Sequence, residues 1–223
     1  MSQFYENLYN EISSSLNLNF SGDGESAEML SRYRNFSTLI WQRLGRYSGR
    51  DFLVLGNARS TINTKDIEEF LTGKILVVAD SAIDMLPSWM VPHIVVSDLD
   101  GNMDRILECV MQGTSLFVHA HGDNMDKIRK FVPELEGMFI PTTQVPGQKG
   151  IYNPEGFTDG DRAVRIASDL GASEMMLLGF DFSNPTGKGN LRMKSNKLAI
   201  ARRIIENELK QGAKIRRFPD TFL

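Results

Sequence analysis

The chain has 223 residues, enough for one large domain with a full hydrophobic core. Its 25 lysines and arginines against 28 aspartates and glutamates give a net charge of -3, which argues against a basic protein that coats nucleic acid. Cys109 is the single cysteine, which excludes an intramolecular disulfide and a cysteine-built zinc cluster, and no apolar run approaches the roughly 20 residues that a membrane helix needs.

The N-terminus, MSQFYENLYNEI, lacks the charged and apolar regions of a signal peptide, so the expected location is the cytoplasm, with no membrane or nucleic-acid partner. Residues 1–50 contain no convincing strand. Phe4, Leu8, Ile12 and Leu16 recur at four-residue spacing, and Leu39, Ile40 and Leu44 form a second apolar set, predicting two or three helices with a break at SGDGE, residues 21–25. These apolar helices suggest a homodimer.

Strand and helix then alternate. FLVLG (52–56) precedes a helix over 64–71, ILVVA (75–79) and IVVSD (94–98) follow, and a helix over 103–111 leads to SLFVHA (115–120). A helix near 126–131 leads to MFIP (138–141); a long loop, a helix over 159–170, the strand MMLLGF (175–180) and a long helix over 193–211 complete the pattern. The strands are continuous aliphatic runs, as in a parallel sheet covered on both faces. The expectation is a doubly wound, mostly parallel, Rossmann-like α/β domain over 51–223 behind an N-terminal helical extension over 1–50.

Each strand ends in unusual residues. GNARS places Gly56, Asn57 and Ser60 in a small-residue turn whose N–H groups suit a phosphate or sugar, although it is neither a full GxGxxG nor a P-loop. Asp80 follows the second strand, where ligand contact and helix capping explain it equally well. In SDLDG, Asp98 and Asp100 are two apart, so an extended chain directs both carboxylates to one side, as a divalent cation carrying a polyphosphate requires; capping by Asp98 beside a solvated Asp100 is the equal alternative. HAHGDN brings His119, His121, Asp123 and Asn124 together, for phosphate contact or as satisfied structural histidines. A zinc site there would need a third protein ligand. The long loop carries Gln144 and Asn153 and ends in TDGDR, where Asp159, Asp161 and Arg162 fit either helix capping or a metal-bridged phosphate. Asp181 closes the last strand, and Lys188 and a basic segment containing Arg192, Lys194 and Lys197 follow; one or two of these cations suit phosphates.

VVSDLDG, HAHGDN, FTDGDRA and LLGFDF, in this order on successive strand ends, resemble the archaeal 6-hydroxymethyl-7,8-dihydropterin pyrophosphokinases, an Mg²⁺-dependent family distantly similar to thiamin pyrophosphokinases. The likeness runs from about residue 51 to the C-terminus. GNARS departs from that family's GNGPSL turn at Ala58 and Arg59. The resemblance implies transfer of pyrophosphate from ATP to the pterin hydroxymethyl oxygen, releasing AMP, on a route to folate or methanopterin. It implies Asp98, Asp100 and Asp123 as Mg²⁺ ligands and His121 or His119 as a phosphate-orienting or proton-accepting group. Gly56, Asn57, Ser60, Asp80, Asn124 and Lys188 would contact the nucleotide. Asp159, Asp161 and Arg162 would hold substrate or the metal-phosphate assembly, with Gln144 and Asn153 at the pterin's edge. The rival readings are a thiamin-type pyrophosphokinase, a transferase using a nucleotide sugar, and a non-catalytic nucleotide-binding module, the last having no use for so many clustered carboxylates.

Overall fold

Strands built from unbroken aliphatic runs need cover on both faces, and the helices between them supply it. The structure, a computed structural model, describes residues 2–15, 21–58, 62–184 and 191–218. Among these residues seven strands form one sheet: β1 (Asp51–Leu55), β2 (Ile75–Ala79), β3 (Ile94–Ser97), β4 (Ser115–Ala120), β5 (Phe139–Thr143), β6 (Glu174–Leu178) and β7 (Ile215–Phe218). Every pairing is parallel, in the order β5-β4-β3-β2-β1-β6-β7. The doubly wound α/β expectation holds, with one strand more than expected. β7 escapes the apolar criterion because it is an edge strand that carries Arg216 and Arg217, the kind of charge that protects a sheet edge.

Residue alternation along the strands divides the core into two layers. Leu53, Leu55, Leu76, Val78 and Leu116 pack beneath α2 (Ser21–Ser31), α4 (Thr64–Leu71), α5 (Met103–Met111) and α6 (Met125–Phe131). Phe52, Val54, Val77, Ile94 and Phe117 pack beneath α3 (Ser37–Leu44), α7 (Asp159–Asp169) and α8 (Leu191–Lys210). α1 (Gln3–Ser15) lies on α8, with Tyr5, Leu8 and Ile12 against Ile200 and Ile204. The first 50 residues therefore contribute to both layers through Ala27, Leu30, Ile40 and Leu44. Leu16 lies outside the described residues.

SGDGE is the first turn of α2 rather than a break. The first turn of a helix tolerates glycine, because its N–H groups have no intrahelical partner to lose, and Asp23 there complements the dipole. Gly22 also meets a packing demand: a Cβ at this position would come 2.9 Å from Cα of Gly122, in the turn after β4.

The strand order reverses between β1 and β6, because the chain steps outward from β1 to β5 and then returns to the other side of β1. Loops leaving the two strands part there and open a crevice at their C-terminal ends. The connection from β5 to α7 is pinned over this rim. Arg165 Nε donates to the carbonyl of Pro154 at 3.1 Å, Tyr5 Oη donates to the carbonyl of Gly156 at 3.2 Å, and Ser2 donates to the Glu155 carboxylate. Among the described residues no helix is long and apolar enough to cross a membrane.

Candidate active site

The crevice is made by two glycines. A Cβ on Gly56 would come 2.6 Å from the carbonyl oxygen of Gly179, and Gly179 itself has φ +69° with its hydrogen turned against the Gly56 carbonyl. The N–H groups of Gly56 and Ala58 donate to Leu178 and Gly179 at 2.8 Å each, so they hold β6 and do not face a phosphate. These two N–H groups are thus committed to the neighbouring strand, and Gly56 serves close approach of two strand ends. Gly179→Ala is expected to cost about 2 kcal/mol, from left-handed strain and the clash, read as a lowered melting temperature.

A cavity of about 290 Å³ opens above these glycines, with Gly56, Asn57 and Asp80 on its floor, Phe180, Phe182 and Leu198 forming an apolar side, and Lys194 and Lys197 from α8 on its rim. A second cavity of about 250 Å³ adjoins it, lined by Asp23, Asp98, His121, Asp123, Gln144 and Arg162 among others. Thr158, Asp159 and Lys197 border both.

Three carboxylates meet at this seam. Asp80 after β2, Asp98 after β3 and Asp159 at the start of α7 each place an oxygen within 4.8 Å of the others. Burial, reinforced by the charge of Asp98, pushes the Asp80 carboxyl up to about 6, and the same causes hold Asp159 well above the ordinary carboxylate range. Burial also opposes ionisation of Asp98, but His121, Arg162 and Lys127 outweigh it and keep that carboxyl low. Arg162, buried, donates from Nη1 to Asp159 at 2.6 Å. Three hard oxygen donors that repel one another suit a divalent cation such as Mg²⁺, which would neutralise the repulsion.

The expected metal set is corrected in part. Leu99 adopts φ +68°, so the chain leaves the extended form between Asp98 and Asp100 and the two carboxylates part. Asp98 turns to the seam, while Asp100 is half exposed and pairs with Lys127. Gly101 has its own task, since a Cβ there would press 2.8 Å from Asp80 Oδ2. Asp123 is exposed on the wall of the second cavity, outside the triad. Asp80 and Asp159, rather than Asp100 and Asp123, are the acids that meet Asp98 within 4.8 Å.

The turn after β4 splits in the same way. His121 Nδ1 accepts the N–H of Asp123 at 3.3 Å, so Nε2 carries the proton and donates to Asp98 at 3.3 Å. His119 is fully buried with Nδ1 3.2 Å from Thr142 Oγ1, and burial holds it well below the usual imidazole range; it lines neither cavity. Asn124 donates to the carbonyls of Asp98 and His119 at 2.8 and 2.7 Å and accepts from His121 N–H and Ser26 Oγ. Its capacity is filled by the chain, which makes it a strut and not a ligand contact.

Asp161 accepts the N–H groups of Phe157 and Thr158 at 2.6 Å each, and the Thr158 hydroxyl as well, closing a capping box on α7. Asn153 braces the loop, donating to the Val145 carbonyl at 3.3 Å and accepting from Glu155 N–H at 2.9 Å. Asp181 caps its own turn, and Asn184 and Ser183 N–H hold its carboxyl low. Ser60 and Lys188, both expected at the nucleotide, lie outside the described residues, as does Arg59.

Residues 30–187 match the family described as 6-hydroxymethylpterin diphosphokinase MptE-like. The chain belongs to this family. It is 33% identical over 234 residues to the 6-hydroxymethyl-7,8-dihydropterin pyrophosphokinase of Methanocaldococcus jannaschii, covering 95% of this chain and 96% of that one. The protein of the same name from Pyrococcus furiosus is 33% identical over 215 residues, covering 91% and 90%, and that from Methanothermobacter thermautotrophicus is 40% identical over 137 residues, covering 59% and 57%.

In this MptE-like chain the cavities single out one of the cations weighed for phosphate and add an acid that was not weighed. Lys197 is one of many cations in a basic helix, and only the fold shows that it borders both cavities. Asp23 sits in the expected extension, where an aspartate at a helix start reads as a dipole partner.

Proposed function

We propose that the chain transfers a diphosphate group from ATP to the hydroxymethyl oxygen of 6-hydroxymethyl-7,8-dihydropterin, with Mg²⁺ held by Asp80, Asp98 and Asp159. The observation that carries this reading is the carboxylate triad at a seam between two cavities, one for each substrate. Relatives of near-equal length, named for this reaction, support it. We place the reaction in the cytoplasm, whose reducing conditions suit the free Cys109.

Phe180, Phe182 and Leu198 offer an apolar wall for the adenine, and Lys194 and Lys197 lie where the phosphates would run towards the seam. The pterin occupies the second cavity with its hydroxymethyl arm towards Asp98 and Asp159. The hydroxyl oxygen attacks the β-phosphorus, the bond from that phosphorus to the α,β-bridging oxygen breaks, AMP leaves with that oxygen, and the hydroxyl proton is released. Bound Mg²⁺ would supply charge neutralisation on the phosphate oxygens. His121 keeps Asp98 oriented and ionised, Arg162 fixes Asp159, and Lys197 meets the moving diphosphate from both sides of the seam.

Incubation with ATP, Mg²⁺ and either the reduced pterin or thiamin tests the reading by AMP release. AMP with the pterin alone is the expected result. AMP with thiamin alone moves the chain to the thiamin type, and AMP with neither leaves a nucleotide-sugar transferase or a binding module. Lys197→Met is expected to lower kcat about 100-fold, the scale for losing one preorganised charge on a transition state, with the protein still folded; turnover within twofold of wild type removes the lysine from the step.

A further inference from the structure

The second cavity has a wall that comes from the first 50 residues. Asp23, in the first turn of α2, is 5% exposed and lines it beside Gln144, which is 7% exposed. Asp23 Oδ1 accepts the N–H of Gly122 at 2.7 Å and Oδ2 accepts Gln144 Nε2–H at 2.6 Å. Among the described residues no lysine or arginine pairs with this carboxylate. A buried carboxylate held only by neutral donors is incompletely satisfied, and each oxygen retains a lone pair for a further donor. Among the described residues Gln144 Nε2 donates to Asp23 alone, leaving its second hydrogen for an occupant, while the Gln144 side chain also meets the ring of His119. On another wall of the cavity Arg162 is 4% exposed, and its Nε–H has no partner among the described residues. The cavity is thus furnished for a polar occupant rather than for an apolar one.

Resting on the pterin reading above, we infer that Asp23, with Gln144, reads the 2-amino-4-oxo edge of the pterin ring, so that the N-terminal extension sets substrate specificity. That edge offers two adjacent donors, the 2-amino group and N3–H, to a two-oxygen acceptor, and its 4-oxo group accepts the open hydrogen of Gln144. The 6-hydroxymethyl arm projects from the opposite end of the bicyclic ring. The same cavity is bounded by Asp98 and Asp159 as well as by Asp23, so one occupant addresses both. The close approach of Gly22 to Gly122 docks α2 and sets the carboxylate against this edge.

The test compares the reduced pterin with its 2,4-dioxo analogue, 6-hydroxymethyl-7,8-dihydrolumazine, which replaces the amino donor by an oxygen that Asp23 repels. Wild type is expected to favour the pterin by about 100-fold or more in kcat/KM. Asp23→Asn is expected to reduce that preference to below about tenfold and to raise the pterin KM, with the KM for ATP unchanged within about twofold. A structural role for Asp23 would not move the ratio between two rings of the same shape. A folded Asp23→Asn enzyme that keeps the wild-type ratio overturns the inference, as does a wild type that uses both rings equally. If Asp23→Asn does not fold, Gln144→Leu decides: about a tenfold rise in the KM for both rings, with kcat and the ATP KM unchanged, supports the inference, and an unchanged KM overturns it. AMP from neither ring in wild type defeats the function reading itself, which is a different failure from a lost ratio.

Discussion

Asp98→Asn is expected to lower AMP formation by at least about a thousandfold while the protein stays folded, because on the proposed reading removing one carboxylate of three leaves the site without the charge that would hold a divalent cation. The fold should not suffer. Asp98 is the charge that, after burial, raises both Asp80 and Asp159, so its removal relieves that repulsion while giving up its pairing with His121, Arg162 and Lys127. The melting temperature without Mg²⁺ is therefore expected to stay close to that of wild type, the two effects opposing one another. Added Mg²⁺ should raise the wild-type melting temperature and leave that of Asp98→Asn unchanged, since only a ligand bound to the folded form stabilises it. Asp100→Asn is the paired control: its carboxylate is half exposed and faces Lys127, so turnover should stay within about threefold of wild type. Turnover of Asp98→Asn within tenfold of wild type, or a larger loss at Asp100 than at Asp98, would dismantle the triad.

That control marks where reading by residue spacing stops. The six apolar strands were legible because an aliphatic run covered on both faces has no other comfortable place in a soluble domain. SDLDG was legible as a site but not as a geometry. Alternation directs Asp98 and Asp100 to one side only while the chain stays extended, and Leu99 at φ +68° ends that condition within one residue. Asp80 could be weighed only equally between ligand contact and capping, because its part in the triad depends on β2 lying beside β3. There Ser97 Oγ and Gly101 close around the carboxylate from the neighbouring strand. Asp159 and Asp161 look alike in the sequence, two acids in one helical turn. The structure gives the first to the seam and turns the second back on its own backbone. Asn124 shows the reverse error, a polar residue in a functional motif whose bonds all go to the chain.

Asp161→Ala should be the most destabilising of these substitutions. The carboxylate is fully buried, and it accepts the N–H groups of Phe157 and Thr158 at 2.6 Å each. Alanine leaves both donors without a partner where water does not reach. A lost helix cap costs about 1 kcal/mol and each buried unsatisfied donor about 1–3 kcal/mol, and part of this is offset because burial disfavours the ionised carboxyl that is removed. A net loss of about 3 kcal/mol corresponds, in a domain of this size, to a melting temperature lower by roughly 6–12 °C. Activity should fall with it, by about 100-fold, because the box fixes the first turn of α7 and with it Thr158 and Asp159 at the seam. Asp161→Asn keeps one acceptor and sets an amide donor against a backbone N–H, so it should fall between alanine and wild type in both measurements. Calorimetry and AMP release on the same preparations separate this role from substrate contact. If alanine melts within about 2 °C of wild type yet loses activity, Asp161 acts on the substrate and not on the helix.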